Sequence, residues 1–155
     1  MTRESTAVLL DAGEGCPAAI ARHEFVEVLV AAKSYRVPAA PPDCDRLVSW
    51  RGELIPGVDL ARLAGTSDGE DQAARNLALV VAYQPAAGDP LRYACLWLND
   101  YPRAIAVGDD QVCELSPGKQ NWQDISRCSF LLDGGAVPIL DLPRLFSAGL
   151  EIRRR

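Results

Sequence analysis

The segment GELIPGVDLARL, Gly52–Leu63, occurs a second time in altered form as GGAVPILDLPRL, Gly134–Leu145. Aligned without a gap, the copies share Gly, Pro, Asp, Leu, Arg and Leu, six of the twelve positions. Each copy reads as a short apolar strand, then an aspartate, then a short helical signal. The repeat predicts two similar small β-units, each closed by one helical turn.

The shared aspartates, Asp59 and Asp141, are predicted to cap those helical turns. A carboxylate at this position accepts backbone N–H groups that the first turn leaves without partners. Its negative charge also suits the helix dipole. The sequence places no histidine or serine beside either aspartate to form an acid–base or nucleophilic pair. We therefore interpret both aspartates as structural and not catalytic.

Strand signals dominate the rest of the chain. Short apolar runs alternate with Pro, Gly and Asp at intervals of roughly 8–12 residues, which is typical of a β-sandwich or β-barrel. Tight turns are predicted at Arg51–Gly52–Glu53 and at Asp133–Gly134–Gly135. The predicted strands are Thr6–Gly13, Ile20–Val30, two within Arg46–Leu60, Leu77–Gln84, Arg92–Asp100, Pro102–Gly108 and two within Arg127–Leu142.

The length of 155 residues fits one domain. We predict a single domain over residues 1–155, with approximate repeat halves at 6–65 and 77–149. The polar stretch 66–76 is the predicted linker between the halves. The Pro-rich stretch Ser34–Asp45 is predicted to cross between elements in extended form, because proline fixes φ and removes a ladder donor.

The charge balance argues against several classes of partner. Sixteen basic and 21 acidic residues give a formal net charge of −5, so there is no positive field to attract nucleic acid or anionic membrane. We expect no secretory signal and no membrane span. The five cysteines are too far apart for a CxxC-type site, and His23 is the only histidine. We therefore predict free thiols in a reducing cytoplasm, no metal and no cofactor.

Four phrases, in this order, resemble the CheW-like domain of bacterial chemotaxis and chemosensory systems. They are Val26-Glu27-Val28 within EFVEVL, the crossover YRVPAAPP, the hairpin Arg51–Leu60, and the final strand VPILDLPRL. The resemblance runs over about residues 6–148. It implies a mainly β fold of two SH3-like, five-stranded β-barrels packed side by side, with short helical turns.

The same resemblance implies a function. Such a chain is not an enzyme. It is a cytoplasmic adaptor that links a CheA-type histidine kinase, through the kinase's regulatory domain, to the cytoplasmic tips of methyl-accepting chemoreceptors.

The resemblance also implies a partner-binding surface. Glu27 falls on the family's strand glutamate and Arg51 on the arginine of its Arg-Gly turn, positions at or beside the binding surface that can pair with each other. The alternative interpretation is an exposed cross-strand ion pair with no further role. Gly52 is explained by the backbone needs of a tight turn. The predicted partner-binding residues are Val26, Glu27, Val28, Trp50, Arg51, Gly52 and Leu54.

Two residues depart from the family's pattern. Trp50 stands where the family more often has a smaller aliphatic residue. Gly57 replaces a β-branched residue, which we expect to loosen its strand. Trp97 is predicted to lie in the core, whereas Trp50 and Trp122 lie beside turns or polar segments and are candidates for exposed aromatic anchors.

Two alternatives to the kinase–receptor adaptor stay open. Within the family, the chain could be an auxiliary adaptor of a pilus or developmental chemosensory system with altered partners. In either adaptor role the chain could also self-associate through barrel faces. Outside the family, free cysteines and a groove between barrels would suit a small-molecule-binding or thiol-dependent β-barrel protein. In that case Cys44, Cys113 or Cys128 would carry the activity.

Overall fold

The computed structural model describes residues 3–11, 17–40, 44–63, 77–115 and 120–148. Within these ranges the chain forms twelve strands in two sheets, so the predicted mainly β class is confirmed. The strands are β1 (Glu4–Asp11), β2 (Pro17–Ala21), β3 (Phe25–Leu29), β4 (Ser34–Arg36), β5 (Arg46–Trp50), β6 (Glu53–Val58), β7 (Ala78–Tyr83), β8 (Arg92–Trp97), β9 (Arg103–Gly108), β10 (Val112–Cys113), β11 (Ser126–Leu132) and β12 (Gly135–Leu140).

Short helical turns accompany the strands. The helices are α1 (Leu60–Leu63) and α2 (Gln120–Gln123), with 3-10 turns at Arg22–Glu24 and Asp109–Gln111 and a π-helical turn at Arg144–Ala148. Over the described ranges, no helix is both long enough and apolar enough to span a membrane.

Sheet 1 has the strand order β10-β11-β12-β2-β1-β9, and sheet 2 has the order β3-β7-β8-β6-β5-β4. Neighbours are antiparallel except β12 with β2 and β6 with β8, which are parallel. The resemblance implied five strands per barrel. The sixth strand of each described sheet is a short edge strand, β4 in sheet 2 and β10 in sheet 1.

The two sheets do not divide the chain into the predicted halves. The continuous segment 25–97 supplies sheet 2, while strands from both ends of the chain supply sheet 1. The reason is that β1 and β2 pair with β9 and β12 and not with the β5–β6 hairpin. Residues 6–65 and 77–149 therefore each contribute strands to both sheets, and one unit per half is not observed. The predicted linker 66–76 lies outside the described residues.

The predicted strand Ile20–Val30 is in fact two strands in different sheets. β2 ends at Ala21 in sheet 1, and β3 begins at Phe25 in sheet 2. Between them, the backbone N–H of Ala21 donates to Oε1 of the buried Glu24 at 3.0 Å, which closes a 3-10 turn. The chain crosses between the sheets at this turn.

The two predicted hairpins are confirmed and share one turn geometry. The loops are Arg51–Gly52, between β5 and β6, and Asp133–Gly134, between β11 and β12. The φ angles are 48° and 77° in the first loop and 51° and 82° in the second. Positive φ at both central positions defines a type I′ turn, whose twist matches that of the flanking strands.

Both predicted aspartate caps are confirmed. Oδ1 of Asp59 accepts the N–H of Arg62 at 3.2 Å, and its carbonyl accepts the N–H four residues on at 3.0 Å. Oδ1 of Asp141 accepts the N–H of Arg144 at 3.2 Å, and its carbonyl accepts the N–H four residues on at 2.9 Å. The repeated aspartates therefore close the same kind of turn after β6 and after β12.

Among the described residues, the core consists of three apolar clusters. Along β7, alternate residues point to opposite faces, so Val80 lines the interior of sheet 2 while Val81 packs between the sheets. The interior of sheet 2 contains Val48, Trp50, Ile55, Ala78, Val80, Cys95 and Trp97. The interior of sheet 1 contains Ala7, Ala19, Phe130 and Val137. The layer between the sheets includes Val8, Leu10, Ile20, Val58, Leu79, Val81, Leu96 and Trp122.

All three tryptophans are buried. Trp97 is confirmed as a core residue, whereas the prediction of exposed anchors at Trp50 and Trp122 is wrong. Gly57, which we expect to loosen β6, lies against Trp97. A Cβ atom at Gly57 would lie 2.9 Å from Nε1 of Trp97 and 3.2 Å from Cγ2 of Val48, so the glycine makes room for the indole.

Candidate partner-binding site

A bulge in β3 places Glu27 on the interior side of sheet 2. Phe25 opposes Val81 and Glu27 opposes Val80, so the register shifts between them. Directly opposed residues share a face of the sheet, and Val80 lines the interior of sheet 2. Val26 packs against the same interior cluster. Without the extra residue, Val26 and Glu27 would point to opposite faces.

The Glu27 carboxylate contacts the β5–β6 hairpin. Nε1 of Trp50 donates a hydrogen bond to Oε1 of Glu27. Nη2 of Arg51 lies 3.4 Å from the same oxygen. Because β7, β8 and β6 separate β3 from β5 in the sheet order, these contacts show that sheet 2 curls toward a closed barrel. The pairing of Glu27 with Arg51 that the resemblance implied is therefore present.

The ring of Trp50 packs beneath this ion pair. The guanidinium carbon of Arg51 lies 4.6 Å from the centroid of the Trp50 ring, which is within cation–π range. The ring of Tyr93 packs against Trp50 with centroids 4.9 Å apart and an interplanar angle of 44°. The Arg51 side chain is 67% exposed and that of Glu27 38%, whereas Trp50 is only 7% exposed. The accessible Arg51–Glu27 pair is thus packed against the buried ring of Trp50.

The other predicted site residues do not all join this cluster. Leu54, on β6 beside the turn, is 57% exposed. Gly52 has positive φ, and an added Cβ there would meet no atom within 4 Å, so the backbone explains this glycine. Val26 packs into the interior of sheet 2. Val28 instead packs against the layer between the sheets and points away from Arg51.

Sequence reasoning missed a second arginine–glutamate pair. Glu24 is buried, and its Oε2 lies 3.8 Å from Nη2 of Arg127 on β11. Burial, the largest effect, raises the pKa of the Glu24 carboxyl above its ordinary value, while the Ala21 N–H, Arg127 and His23 oppose that rise. The available signal was the polar triplet Arg22–Glu24 inside an otherwise apolar run.

Neither Cys113 nor Cys128 shares a depression with His23. Burial raises the pKa of the Cys95 thiol to about 12. Cys113 opposes Ser129 between β10 and β11, so Cys128, one residue earlier on β11, lies on the opposite face of that strand. Both cysteines line one open depression, and His23 lines another. In the part of the chain that the structure describes, no three His, Cys, Asp or Glu residues are placed to hold a metal ion.

Comparisons with known proteins agree with this fold. The CheW-like domain family matches residues 7–149. The fold is similar to the crystal structure of the scaffolding protein TtCheW from Thermoanaerobacter tengcongensis, with a TM-score of 0.72 and 16% identity over 94% of each chain. A comparison with curated protein sequences gives no match. Because the family match spans most of the sequence, the chain belongs to the CheW-like domain family.

Proposed function

We propose that the chain is a non-catalytic, cytoplasmic adaptor that links a CheA-type histidine kinase to the tips of methyl-accepting chemoreceptors. Its membership of the CheW-like family and its likeness to a scaffolding protein support this proposal. The observation that carries it is the exposed Arg51 at a hairpin tip, held against Glu27 and Trp50. Arginine and aromatic residues are enriched at the positions that contribute most to binding.

The energetics of the Arg51–Glu27 pair suit a contact that forms and breaks. An exposed ion pair contributes less than about 1 kcal/mol to folding, because water and salt screen it. The fold therefore loses little stability when a partner competes with Glu27 for the Arg51 guanidinium. Leu54 adds an exposed apolar side chain next to this charge. An apolar contact with a charged neighbour gives both affinity and orientation.

An adaptor needs two binding surfaces, and we assign the hairpin tip to the regulatory domain of the kinase. The receptor helix is assigned to the groove between the barrels. Phe25 supports this second assignment, because it opposes Val81 of the layer between the sheets and is 37% exposed. The apolar layer thus reaches the surface beside β3, where an amphipathic helix could bury its apolar face.

A bridging experiment tests this function. Receptor-tip fragments are immobilised, and retention of the kinase regulatory domain is measured with and without the chain. We expect retention only when the chain is present, and its loss with Arg51→Glu. Arg36→Glu is the matched control, because the Arg36 side chain is 66% exposed and lies 3.8 Å from Asp45. Retention without the chain, or equal behaviour of the two variants, would contradict the proposal.

The same design addresses the auxiliary-adaptor alternative. Receptor and kinase fragments from a pilus or developmental system replace those of the motility system. Capture of only that second set would assign the chain to the auxiliary class, while the role of Arg51 would stay the same.

A further inference from the structure

We propose that Trp50 is a positioning residue that holds Arg51 ready to bind a carboxylate group of the partner. This inference rests on the proposed function, since it concerns the same hairpin tip. It adds the residue that orients the contact and the chemical group that the contact recognises.

Trp50 makes two different contacts with the exposed pair. Its indole N–H donates to Oε1 of Glu27, and its ring face lies beneath the guanidinium of Arg51. Because Nη2 of Arg51 is 3.4 Å from the same Glu27 oxygen, the three side chains form a closed triangle. An aliphatic residue at position 50, as the family more often has, would supply neither the donor nor the ring face.

The interior of sheet 2 fixes the indole, and the indole in turn orders the arginine. Trp50 belongs to the buried cluster inside sheet 2, and Tyr93 packs against it at a tilt. The ring cannot turn outward without opening this end of the barrel. Arg51 by contrast is an exposed, long side chain that has much rotamer freedom to lose on binding. Contacts that order it in the free protein lower that cost.

The arrangement also indicates what Arg51 recognises. A guanidinium is planar and carries five N–H donors along its edges. The Trp50 ring covers a face, which uses no donor, and the Glu27 contact is made to Nη2. With the side chain two-thirds exposed, edge donors face the solvent. A carboxylate matches such an edge with two parallel hydrogen bonds. The indole N–H meanwhile gives Glu27 a donor of its own when Arg51 shares its donors with the partner.

The first test uses the free protein. In the full chain labelled with 15N-arginine, the Nε–H signal of Arg51 is identified by its loss in Arg51→Lys. We expect its heteronuclear NOE to show an ordered side chain in the wild type and a mobile one in Trp50→Leu. Trp122→Phe is the control, since Trp122 is also buried but lies in the layer between the sheets. An Arg51 signal that stays ordered in Trp50→Leu would overturn the inference.

The second test measures affinity for the kinase regulatory domain. Trp50→Leu should weaken binding by about two- to fivefold, the size of an exposed cation–π contact. Trp50→Phe, which keeps a ring face but loses the N–H, should weaken it less. The loss of affinity caused by Trp50→Leu should vanish in an Arg51→Leu background, because Trp50 acts on binding through Arg51. Equal losses in both backgrounds would overturn the inference.

These tests separate the inference from the proposed function. If the wild type does not bind the kinase domain, the proposed function fails, and the proposed carboxylate contact fails with it. If the wild type binds the kinase domain, and Trp50→Phe and Trp50→Leu both bind it as tightly as the wild type does, the positioning role fails while the adaptor function stands. Thermal midpoints of every variant confirm that only folded protein is compared.

Discussion

The two hairpins share a backbone and differ in what they carry. Both have type I′ turns, which favour Asn, Asp or Gly at the first loop position. Asp133 satisfies that preference, whereas Arg51 does not. The residue before the loop also differs, with Leu132 in one hairpin and Trp50 in the other. The turn geometry therefore explains Asp133, while Arg51 is explained by its contacts with Trp50 and Glu27. The repeat describes the architecture, and function is proposed where the copies differ.

A second difference lies in the strands that follow the turns. Gly57 on β6 and Ile139 on β12 are equivalent in the repeat. Gly57 lies against the large Trp97 side chain, whereas Ile139 pairs with the small Ala19. The same position of the repeat therefore has different neighbours in the two sheets.

The largest expected effect on stability comes from placing a β-branched side chain at Gly57, as β12 has at Ile139. Gly57→Val forces a side chain into the space of Trp97 and should lower the free energy of unfolding by about 1–3 kcal/mol. Urea denaturation measures the change. Ile139→Val is the control, with a loss near the lower end of about 0.5–1.5 kcal/mol because Ile139 is half-buried. An unchanged Gly57→Val protein would show that Trp97 is free to move aside.

The next largest effect on stability concerns the helix-capping aspartates, which the two copies of the repeat share. Asp59→Ala and Asp141→Ala should each lower the free energy of unfolding by about 1 kcal/mol, because each removes the acceptor for a first-turn N–H. Asp59→Ala should cost more, since Asp59 is buried and its Oδ2 lies 3.7 Å from Nε of Arg62. The asparagine variants keep a capping oxygen and serve as controls. Equal losses for alanine and asparagine would contradict the capping role.

The pH dependence of the free energy of unfolding tests the buried Glu24–Arg127 pair. The raised pKa of Glu24 means that its protonated form favours the folded state. Its contribution to stability is present below the ordinary value of 4.5 and is lost as pH rises through the folded pKa. Glu24→Gln removes this carboxyl, so its stability relative to wild type should rise as pH increases above the ordinary value of 4.5.

Denaturation at several pH values checks this expectation. Repeating the comparison in a His23→Gln background removes the neighbouring imidazole, which opposes the rise in the Glu24 pKa. Asp141 and Arg127, the other charged neighbours of Glu24, stay in place in both backgrounds. A stability difference that is constant with pH, or that favours wild type as pH rises, would mean that the pair with Arg127 outweighs burial.

The smallest effects test the turns directly. Arg51→Asn should leave the free energy of unfolding unchanged or raise it by up to about 1 kcal/mol, because asparagine adopts positive φ more easily. Asp133→Arg should lower it by a similar amount, since that tip offers no tryptophan beside the loop. Thermal or urea denaturation of the two variants measures both changes. A clear loss in Arg51→Asn would show that the Arg51 contacts stabilise the fold more than an exposed pair should.

Local rules predicted the features that local sequence determines. The turns, both aspartate caps and the burial of Trp97 follow from residue type and short-range pattern, and the resemblance added the barrel fold and the pairing of Glu27 with Arg51. The crossing at Arg22–Glu24 was missed, because an apolar run does not reveal which sheet receives each part. The burial of Trp50 was missed too, since it depends on the curling of sheet 2 and on the bulge that brings Glu27 within reach.

The central claim is that Arg51 contacts the partner and is not needed for the fold. Isothermal titration of the kinase regulatory domain into Arg51→Glu and Arg36→Glu tests it most directly, since both variants make the same charge change at equally exposed, ion-paired arginines. We predict binding at least about tenfold weaker for Arg51→Glu, near-wild-type binding for Arg36→Glu, and similar thermal midpoints for both. Equal affinities, or an Arg51→Glu protein that loses its fold, would contradict the claim.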